Sequence, residues 1–325
     1  MKKILLPILA LLMPVMMFAG VNDDKPIKQN KIVYLYPEGQ GVDKGIVEDG
    51  VAITLGPGED NGKHGPETVR PSGDVYDIGD SARMEIYFPE NPNGLMIINC
   101  PGGAYWFVSE VNEGYCTVEW LLSQGIAVCN MFYRLPYGHK TVPLTDVQNA
   151  FRYCRYHAAE WGIDKIGVMG FSAGGHLVMS AGEYFGTNFL ARYNIEPSVS
   201  LRPDFVAPSY PVVTLSAPPV HKRSRLGLLG EWTVLKQEMR DSLSLEKHVK
   251  ADTPPVFLLN CVDDPVVDYR NSELLDSALT ARGIPHLYMQ YKTGGHGFGA
   301  NPDRQNEYTS HWQKDFMDWI KNYGH

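Results

Sequence analysis

Six short apolar segments recur through the chain from residue 94 onward. Most are apolar on both faces, which is typical of strands in a parallel sheet that helices cover on both sides. They are residues 94–100, 125–133, 165–171, 204–212, 255–261 and 286–292. Between two of them, residues 147–161 repeat apolar side chains at helical spacing. The alternation predicts an α/β fold with a mostly parallel central sheet and helices on both faces.

Weaker patterns assign the remaining elements. Residues 82–89 alternate apolar and polar side chains and predict a half-exposed antiparallel edge strand, with residues 31–37 as another such strand. Residues 56–80 are rich in glycine, proline and aspartate and predict a long loop. The last helix carries an apolar stripe that predicts core packing: Trp312, Phe316, Trp319, Ile320 and Tyr323.

Residues 1–20 have the composition of a secretory signal peptide. Two lysines precede an apolar run that ends at Phe18, and Ala19 and Gly20 mark the expected cleavage position. The run is shorter than the roughly 20 residues of a membrane-spanning helix, which argues against the alternative of a retained anchor. The sequence therefore predicts a periplasmic or secreted mature protein without membrane attachment after cleavage.

The domain organisation follows from these elements. Residues 21–81 are predicted to form an N-terminal extension with edge strands, and residues 82–325 one α/β domain of ordinary size. Residues 213–245 interrupt the strand and helix alternation, which is typical of an inserted small cap.

Charge and cysteine usage narrow the function classes. The net charge is −8 and no basic block is present, so no nucleic-acid partner is predicted. The five cysteines are an odd number and four lie in apolar stretches, which predicts buried free thiols rather than a disulfide framework. The sequence has no CxxC pair or His/Cys cluster, so neither a metal site nor a cofactor is predicted. The oligomeric state is left open.

One serine stands where a strand is predicted to turn into a helix. Gly170, Phe171, Ser172, Ala173 and Gly174 spell G-x-S-x-G, with an apolar run on each side. Small residues in this motif allow a strained turn that presents the serine hydroxyl above a sheet as a nucleophile. The alternative is a serine that merely caps the following helix.

A nucleophilic serine needs a base and a carboxylate, which follow it in the order acid, then histidine, in this type of fold. His296 lies on a glycine-rich loop after the last apolar segment. Two aspartates follow segment 255–261; Asp264 is favoured as the acid and Asp263 remains the alternative. Asp268 is interpreted as a helix cap.

Two other histidines have different expected roles. His176 lies within the helix that follows Ser172 and is expected to pack or to form hydrogen bonds there. His221 is a candidate for the lining of the pocket.

The segment after residues 94–100 carries candidates for two further roles. Gly102 and Gly103 let backbone N–H groups approach an oxyanion, together with the N–H of Ala173. Tyr105 and Trp106 are candidates for binding a sugar ring, with core packing as an equal alternative. Further along, Glu110 and Glu113 are expected to face solvent, the alternative being the rim of the site.

The order of these motifs resembles that of the α/β-hydrolase esterases known as acetylxylan or carbohydrate acetyl esterases. The similarity covers about residues 82–325 and joins several motifs in order. They are CPGGAYW (100–106), MFYRLPYG (131–138), the segment 143–177 that contains GFSAGGHL, TPPVFLLNCVDDPVV (253–267) and GGHGFG (294–299). The resemblance implies an α/β-hydrolase catalytic domain. Ala104 is one departure, at a position where related loops often have a third glycine.

Carried over residue by residue, the resemblance implies Ser172 as nucleophile, His296 as base and Asp264 as acid. It places the oxyanion loop on Gly102 and Gly103. It further implies a Ser-His-Asp acyl-enzyme mechanism and a preference for acetyl esters on plant polysaccharide such as acetylated xylan. The alternatives are a general carboxylesterase and, less favoured, a serine peptidase or a non-catalytic carbohydrate-binding protein.

Overall fold

The computed structural model describes residues 31–35, 46–48, 51–53, 66–79, 81–216 and 218–323. The predicted signal peptide lies outside the described residues. Thirteen strands occur within the described ranges: β1 (Lys31–Tyr34), β2 (Ile46–Glu48), β3 (Val51–Ile53), β4 (Thr68–Val69), β5 (Asp74–Tyr76), β6 (Arg83–Tyr87), β7 (Leu95–Cys100), β8 (Val108–Ser109), β9 (Ala127–Phe132), β10 (Lys165–Phe171), β11 (Val206–Ser209), β12 (Val256–Cys261) and β13 (His286–Tyr291).

The helices of the described chain lie mainly between these strands. The α-helices are α1 (Cys116–Ser123), α2 (Val142–Trp161), α3 (Ala173–Tyr184), α4 (Lys222–Thr233), α5 (Gln237–Asp241), α6 (Arg270–Ala281) and α7 (Trp312–Tyr323). A π-helix, Glu110–Tyr115, runs directly into α1. Short 3₁₀ turns are Phe189–Tyr193, Leu245–Lys247, Pro302–Arg304 and Thr309–His311.

Eight strands form the central sheet, in the order β1-β6-β9-β7-β10-β11-β12-β13. The pairs β1–β6 and β6–β9 are antiparallel, and every pair from β9 to β13 is parallel. Strands β7, β9, β11 and β12 are buried throughout, as their continuous apolar sequences predict. The predicted mostly parallel sheet is confirmed.

Helices cover both faces of the sheet, so each face has its own core. Apolar residues of α2, α3 and α6 pack on one face, and those of α1 and α7 pack on the other. Alternate strand residues point to opposite faces, as in β7, where Met96 belongs to the first core and Ile97 to the second. The predicted stripe of α7 is buried at Trp312, Phe316, Trp319 and Ile320; the side chain of Tyr323 lies outside the described part.

Residues 83–87 form an antiparallel strand as predicted, but the expectation that the strand at residues 82–89 is half-exposed and at the edge is wrong. Strand β6 lies between β1 and β9, and β1 takes the edge. The polar residue Glu85, which suggested an exposed face, is buried and accepts hydrogen bonds from the hydroxyls of Tyr87 and Tyr115. Its polar partners allow a carboxylate to lie inside the fold.

Two segments outside the central sheet contain secondary structure of their own. The described second half of the predicted loop 56–80 contains β4 and β5, and β5 pairs with both β4 and β8 in a small three-stranded sheet. Segment 213–245 carries α4 and α5, and Leu228 and Leu229 of α4 are buried in the core. Its status as a cap stays a prediction.

All five cysteines are free and buried, as predicted for the four that lie in apolar stretches. No helix within the described ranges is both long and apolar enough to span a membrane.

Candidate active site

Ser172 occupies the sharp turn between β10 and α3. Its φ and ψ are 54° and −117°, and a positive φ is uncommon for a residue with a side chain. The backbone is so crowded here that a Cβ at Gly174 would lie 2.0 Å from the Cys100 carbonyl oxygen. The small residues of the G-x-S-x-G stretch are therefore a steric requirement of this turn, as the sequence pattern predicts.

The structure brings Ser172, His296 and Asp264 together. His296 Nε2 lies 2.9 Å from Ser172 Oγ, and His296 Nδ1 lies 2.6 Å from Asp264 Oδ2. The Asp264 side chain is fully buried, whereas 13% of the His296 side chain is exposed. With Nδ1–H donating to the carboxylate, Nε2 has a lone pair directed at the serine hydroxyl. This arrangement can take a proton from Ser172.

The two neighbouring aspartates have separate tasks. Asp264 Oδ1 accepts hydrogen bonds from the N–H groups of Val266 and Val267, which leaves Oδ2 for His296. Asp263 Oδ1 instead accepts from the N–H groups of Gly294 and Gly295 and so fixes the loop that carries the histidine.

Asp268 contacts the beginning of α6. Its Oδ1 accepts a hydrogen bond from the N–H of Arg270, the first residue of the helix, and its carboxylate also forms an ion pair with the Arg270 guanidinium.

The predicted oxyanion loop passes directly beside the serine. A Cβ at Gly102 would lie 2.9 Å from the Ser172 Cβ, so only glycine fits here. Gly102 nevertheless donates its N–H to Glu113 Oε2 at 2.7 Å, so this N–H is not available to an oxyanion. Within the described chain no acceptor takes the N–H of Gly103, and the N–H of Ala173 begins α3, where helical donors lack intrahelical partners. Of the three predicted donors, Gly103 and Ala173 are thus the available ones.

Glu113 is the main residue that sequence reasoning missed. The expectation that Glu110 and Glu113 face solvent is wrong, because only 2% of Glu110 and 3% of Glu113 is exposed. Glu113 accepts hydrogen bonds from Gly102 N–H and the Tyr210 hydroxyl. Two acidic residues three positions apart usually mark a solvated helix face, and no local signal shows that other loops cover this one.

Tyr105 lies in the core rather than on a surface that a sugar ring could reach. It is 2% exposed, and its hydroxyl lies 2.7 Å from His176 Nδ1. His176 Nε2 donates to the Leu243 carbonyl oxygen at 2.8 Å, which leaves Nδ1 to accept from the tyrosine. The predicted packing role of His176 is confirmed.

Burial lowers the pKa of His176 to about 4, so the folded protein keeps this imidazole neutral where the unfolded chain charges it. Stability is therefore lost as the pH falls from about 6.5 towards 4, since the unfolded state then binds more protons. We expect His176→Gln to reduce the loss of unfolding free energy between pH 7.5 and pH 5 by about 2 kcal/mol. Urea unfolding at the two pH values measures this difference. An unchanged pH sensitivity would contradict the proposed neutral imidazole.

Trp106 lies at the boundary between the oxyanion loop and α4. Its side chain is partly exposed, and its indole N–H donates to the carbonyl oxygen of Arg223 at 3.1 Å. The guanidinium of Arg223 in turn stands over the ring of Phe107. Helix α4 is thereby attached to the loop that passes Ser172.

His221, at the start of α4, lies close enough to His296 for the charges of the two side chains to interact. Burial and then repulsion by His296 lower the pKa of His221 to about 4. Its Nδ1 lies 2.8 Å from the Ser224 hydroxyl. No cluster of three metal-ligating side chains occurs among the residues that the structure describes.

The parallel sheet, the turn at Ser172 and the helices on both faces define an α/β-hydrolase fold. A solved structure with the same architecture is the acetyl ester-xyloside bifunctional hydrolase of Caldicellulosiruptor lactoaceticus, with a TM-score of 0.69 and 29% identity over 92% of this chain and 98% of that one. A carboxylesterase of Lactobacillus plantarum shares the fold at a TM-score of 0.62 and 18% identity, over 79% of this chain and 97% of that one.

The chain belongs to the BD-FAE family, whose model matches residues 84–279. It is 34% identical over 247 residues to an acetylxylan esterase of Xylanibacter ruminicola, which covers 74% of this chain and 48% of the relative. It is 37% identical over 220 residues to the endo-1,4-beta-xylanase B of Butyrivibrio fibrisolvens, which covers 65% of this chain and 33% of the relative. The chain thus spans about half or less of the length of these relatives.

Proposed function

We propose that this chain is a serine esterase that hydrolyses short-chain acyl esters, above all acetyl esters, on plant polysaccharide such as acetylated xylan or its oligosaccharides. The proposal rests first on the continuous hydrogen-bond path from Asp264 through His296 to Ser172. It is supported by the family and by two similar proteins, one named an acetylxylan esterase and the other an acetyl ester-xyloside bifunctional hydrolase.

In the proposed reaction, Ser172 Oγ attacks the ester carbonyl carbon while His296 Nε2 takes the hydroxyl proton. Asp264 holds the imidazole in the required tautomer and stabilises the imidazolium that forms. The N–H groups of Gly103 and Ala173 stabilise the developing oxyanion. The imidazolium then protonates the leaving sugar oxygen, and the acyl group remains on Ser172.

A water molecule completes the cycle. His296 takes a proton from this water as the oxygen attacks the acyl carbonyl, and the imidazolium returns a proton to Ser172 Oγ as the acid leaves. The reaction needs proton transfer and oxyanion stabilisation alone, which side chains and backbone of this chain supply.

The decisive experiment measures acetate release from acetylated xylo-oligosaccharides beside turnover of p-nitrophenyl acetate and butyrate. We expect efficient release from the oligosaccharide and faster turnover of the acetate than of the butyrate ester. Turnover of the aryl esters without oligosaccharide release would move the substrate to the general carboxylesterase class. No turnover of any ester would overturn the proposal.

We further propose that Trp106 binds a sugar ring at the rim of the site. Its indole N–H is fixed by Arg223, which holds the aromatic face in one orientation. We expect Trp106→Ala to raise KM for the acetylated oligosaccharide roughly fivefold, because a stacked ring contributes about 1 kcal/mol. KM for p-nitrophenyl acetate should change by less than about twofold, and Trp106→Phe should retain most of the sugar affinity. Equal effects on both substrates would count against this role.

A further inference from the structure

A single buried carboxylate joins the three loops that surround Ser172. Glu113 Oε2 accepts from Gly102 N–H at 2.7 Å on the oxyanion loop, and Oε1 accepts from the Tyr210 hydroxyl at 2.9 Å, just after β11. The same hydroxyl accepts from Gly299 N–H at 2.9 Å, on the loop that carries His296. Glu113, together with the Tyr210 hydroxyl, therefore connects the oxyanion loop to the loop that carries His296.

The tyrosine in this path also contacts the histidine directly. The ring of Tyr210 meets the His296 ring edge to face, with centroids 4.8 Å apart. Tyr210 has a strained backbone with φ of 36°, and its N–H donates to the Leu259 carbonyl oxygen in β12. Its position is thus determined from both ends, by the sheet and by Glu113.

The π-helix that carries Glu113 is anchored to the buried sheet. Asn99 Nδ2 donates to the Glu113 carbonyl oxygen at 2.8 Å and to Asn130 Oδ1 at 2.9 Å. Asn130 Nδ2 then donates to Glu110 Oε1. π-Helices are rare and often occur at functional sites. The anchor fixes the backbone from which the Glu113 side chain reaches the loops.

The hydrogen bonds indicate which form of Glu113 the site holds. Burial raises its pKa, while the positive charge of His296, Gly102 N–H and the Tyr210 hydroxyl oppose that rise. Both carboxylate oxygens accept, so the hydrogen-bond pattern favours the ionised form. A negative charge here stabilises the imidazolium that appears on His296 during the reaction.

We propose that Glu113 is a positioning residue for ester hydrolysis: it withdraws Gly102 N–H from the oxyanion hole, so that Gly103 and Ala173 serve instead, and it holds His296 in register with Ser172 through Tyr210. This inference rests on the proposed esterase function. It assigns a role to a residue that touches no reacting atom and acts through the groups that do.

The test compares Glu113→Gln with Glu110→Gln, two isosteric changes on the same π-helix. Glu110 Oε1 accepts from Asn130 Nδ2, and the amide oxygen of glutamine can accept the same hydrogen bond, so Glu110→Gln should keep the anchor of the π-helix intact. We expect Glu113→Gln to lower kcat for p-nitrophenyl acetate roughly 10- to 100-fold with KM changed less than about threefold. Glu110→Gln should stay within about twofold of the unmodified protein.

Two further measurements separate positioning from a general structural role. The loss of kcat should be the same for acetyl and butyryl aryl esters, because the oxyanion and the base are common to both. Tyr210→Phe keeps the ring on His296 and removes the hydroxyl bridge, so kcat should fall roughly tenfold in a protein that is less stable but still folded at the assay temperature.

Each outcome decides one question. Equal kcat for Glu113→Gln and Glu110→Gln contradicts the positioning role while the esterase proposal stands. If Glu113→Gln fails to fold, an unchanged kcat in Tyr210→Phe contradicts the role instead. If the unmodified protein hydrolyses no ester, the esterase proposal fails. The positioning role can then still be tested by measuring how fast diethyl p-nitrophenyl phosphate modifies Ser172 in each of the two glutamine variants. Equal rates there overturn the inference.

Discussion

Replacing Ser172 with alanine is expected to lower kcat for p-nitrophenyl acetate by on the order of 10⁴-fold or more. The change removes the only oxygen that lies 2.9 Å from His296 Nε2 in the described site and leaves the imidazole without a nucleophile to activate. Residual turnover would come from the oxyanion donors and from substrate binding. Acetate release and p-nitrophenol absorbance measure the loss on the two classes of substrate.

The control for this variant is its fold. Alanine keeps a Cβ at the strained φ of 54°, so the melting temperature should remain close to that of the unmodified protein. A folded Ser172→Ala protein with undiminished turnover would show that another group attacks the ester, and the assignment of the nucleophile would be wrong.

Replacing Asp264 with asparagine is expected to lower kcat by roughly 10³- to 10⁴-fold. The neutral amide of asparagine cannot replace the negative charge that accepts the Nδ1–H of His296. The imidazole tautomer whose Nε2 accepts the serine proton is therefore less stable. The 2.6 Å contact between His296 Nδ1 and Asp264 Oδ2 is the observation behind this expectation. Steady-state kinetics with p-nitrophenyl acetate measures the effect.

Asp263→Asn is the matched comparison, one position away. Asp263 holds two backbone N–H groups of the histidine loop, and an amide oxygen can still accept both. We expect a loss of kcat within about tenfold. If the Asp263 change were severe and the Asp264 change mild, the acid would be Asp263, the alternative that the sequence alone leaves open.

The features that the sequence predicts best depend on local sequence motifs and on the fact that the carboxyl ends of parallel strands lie at one edge of the sheet. The turn at Ser172 follows from the small residues around it. The carboxyl ends of β10 and β12 share one edge of the sheet, and so does the loop after β13, which explains why Ser172, Asp264 and His296 meet.

The features that the sequence misses depend on contacts between distant segments. Glu113 is buried because the oxyanion loop and the histidine loop close over it, and its own neighbours give no sign of this. Tyr105 is buried on a backbone with a φ of 63°, a conformation that its residue type does not indicate. Strand β6 is interior because β1, far upstream, pairs with its outer edge. The spacing of apolar residues predicts a single helix or strand, but it does not predict which other elements will cover it.

The left-handed backbone at the site has a consequence for how this protein can change over generations. Four residues with side chains adopt positive φ around the reaction centre: Ala104, Tyr105, Ser172 and Tyr210. Each such residue costs about 1–3 kcal/mol, against a net stability of about 5–15 kcal/mol for an ordinary domain. Glycine would relieve the strain at these positions, but it would also remove the buried rings of Tyr105 and Tyr210 and the hydroxyl of Ser172. The strained turns are therefore retained because of the side chains that they carry.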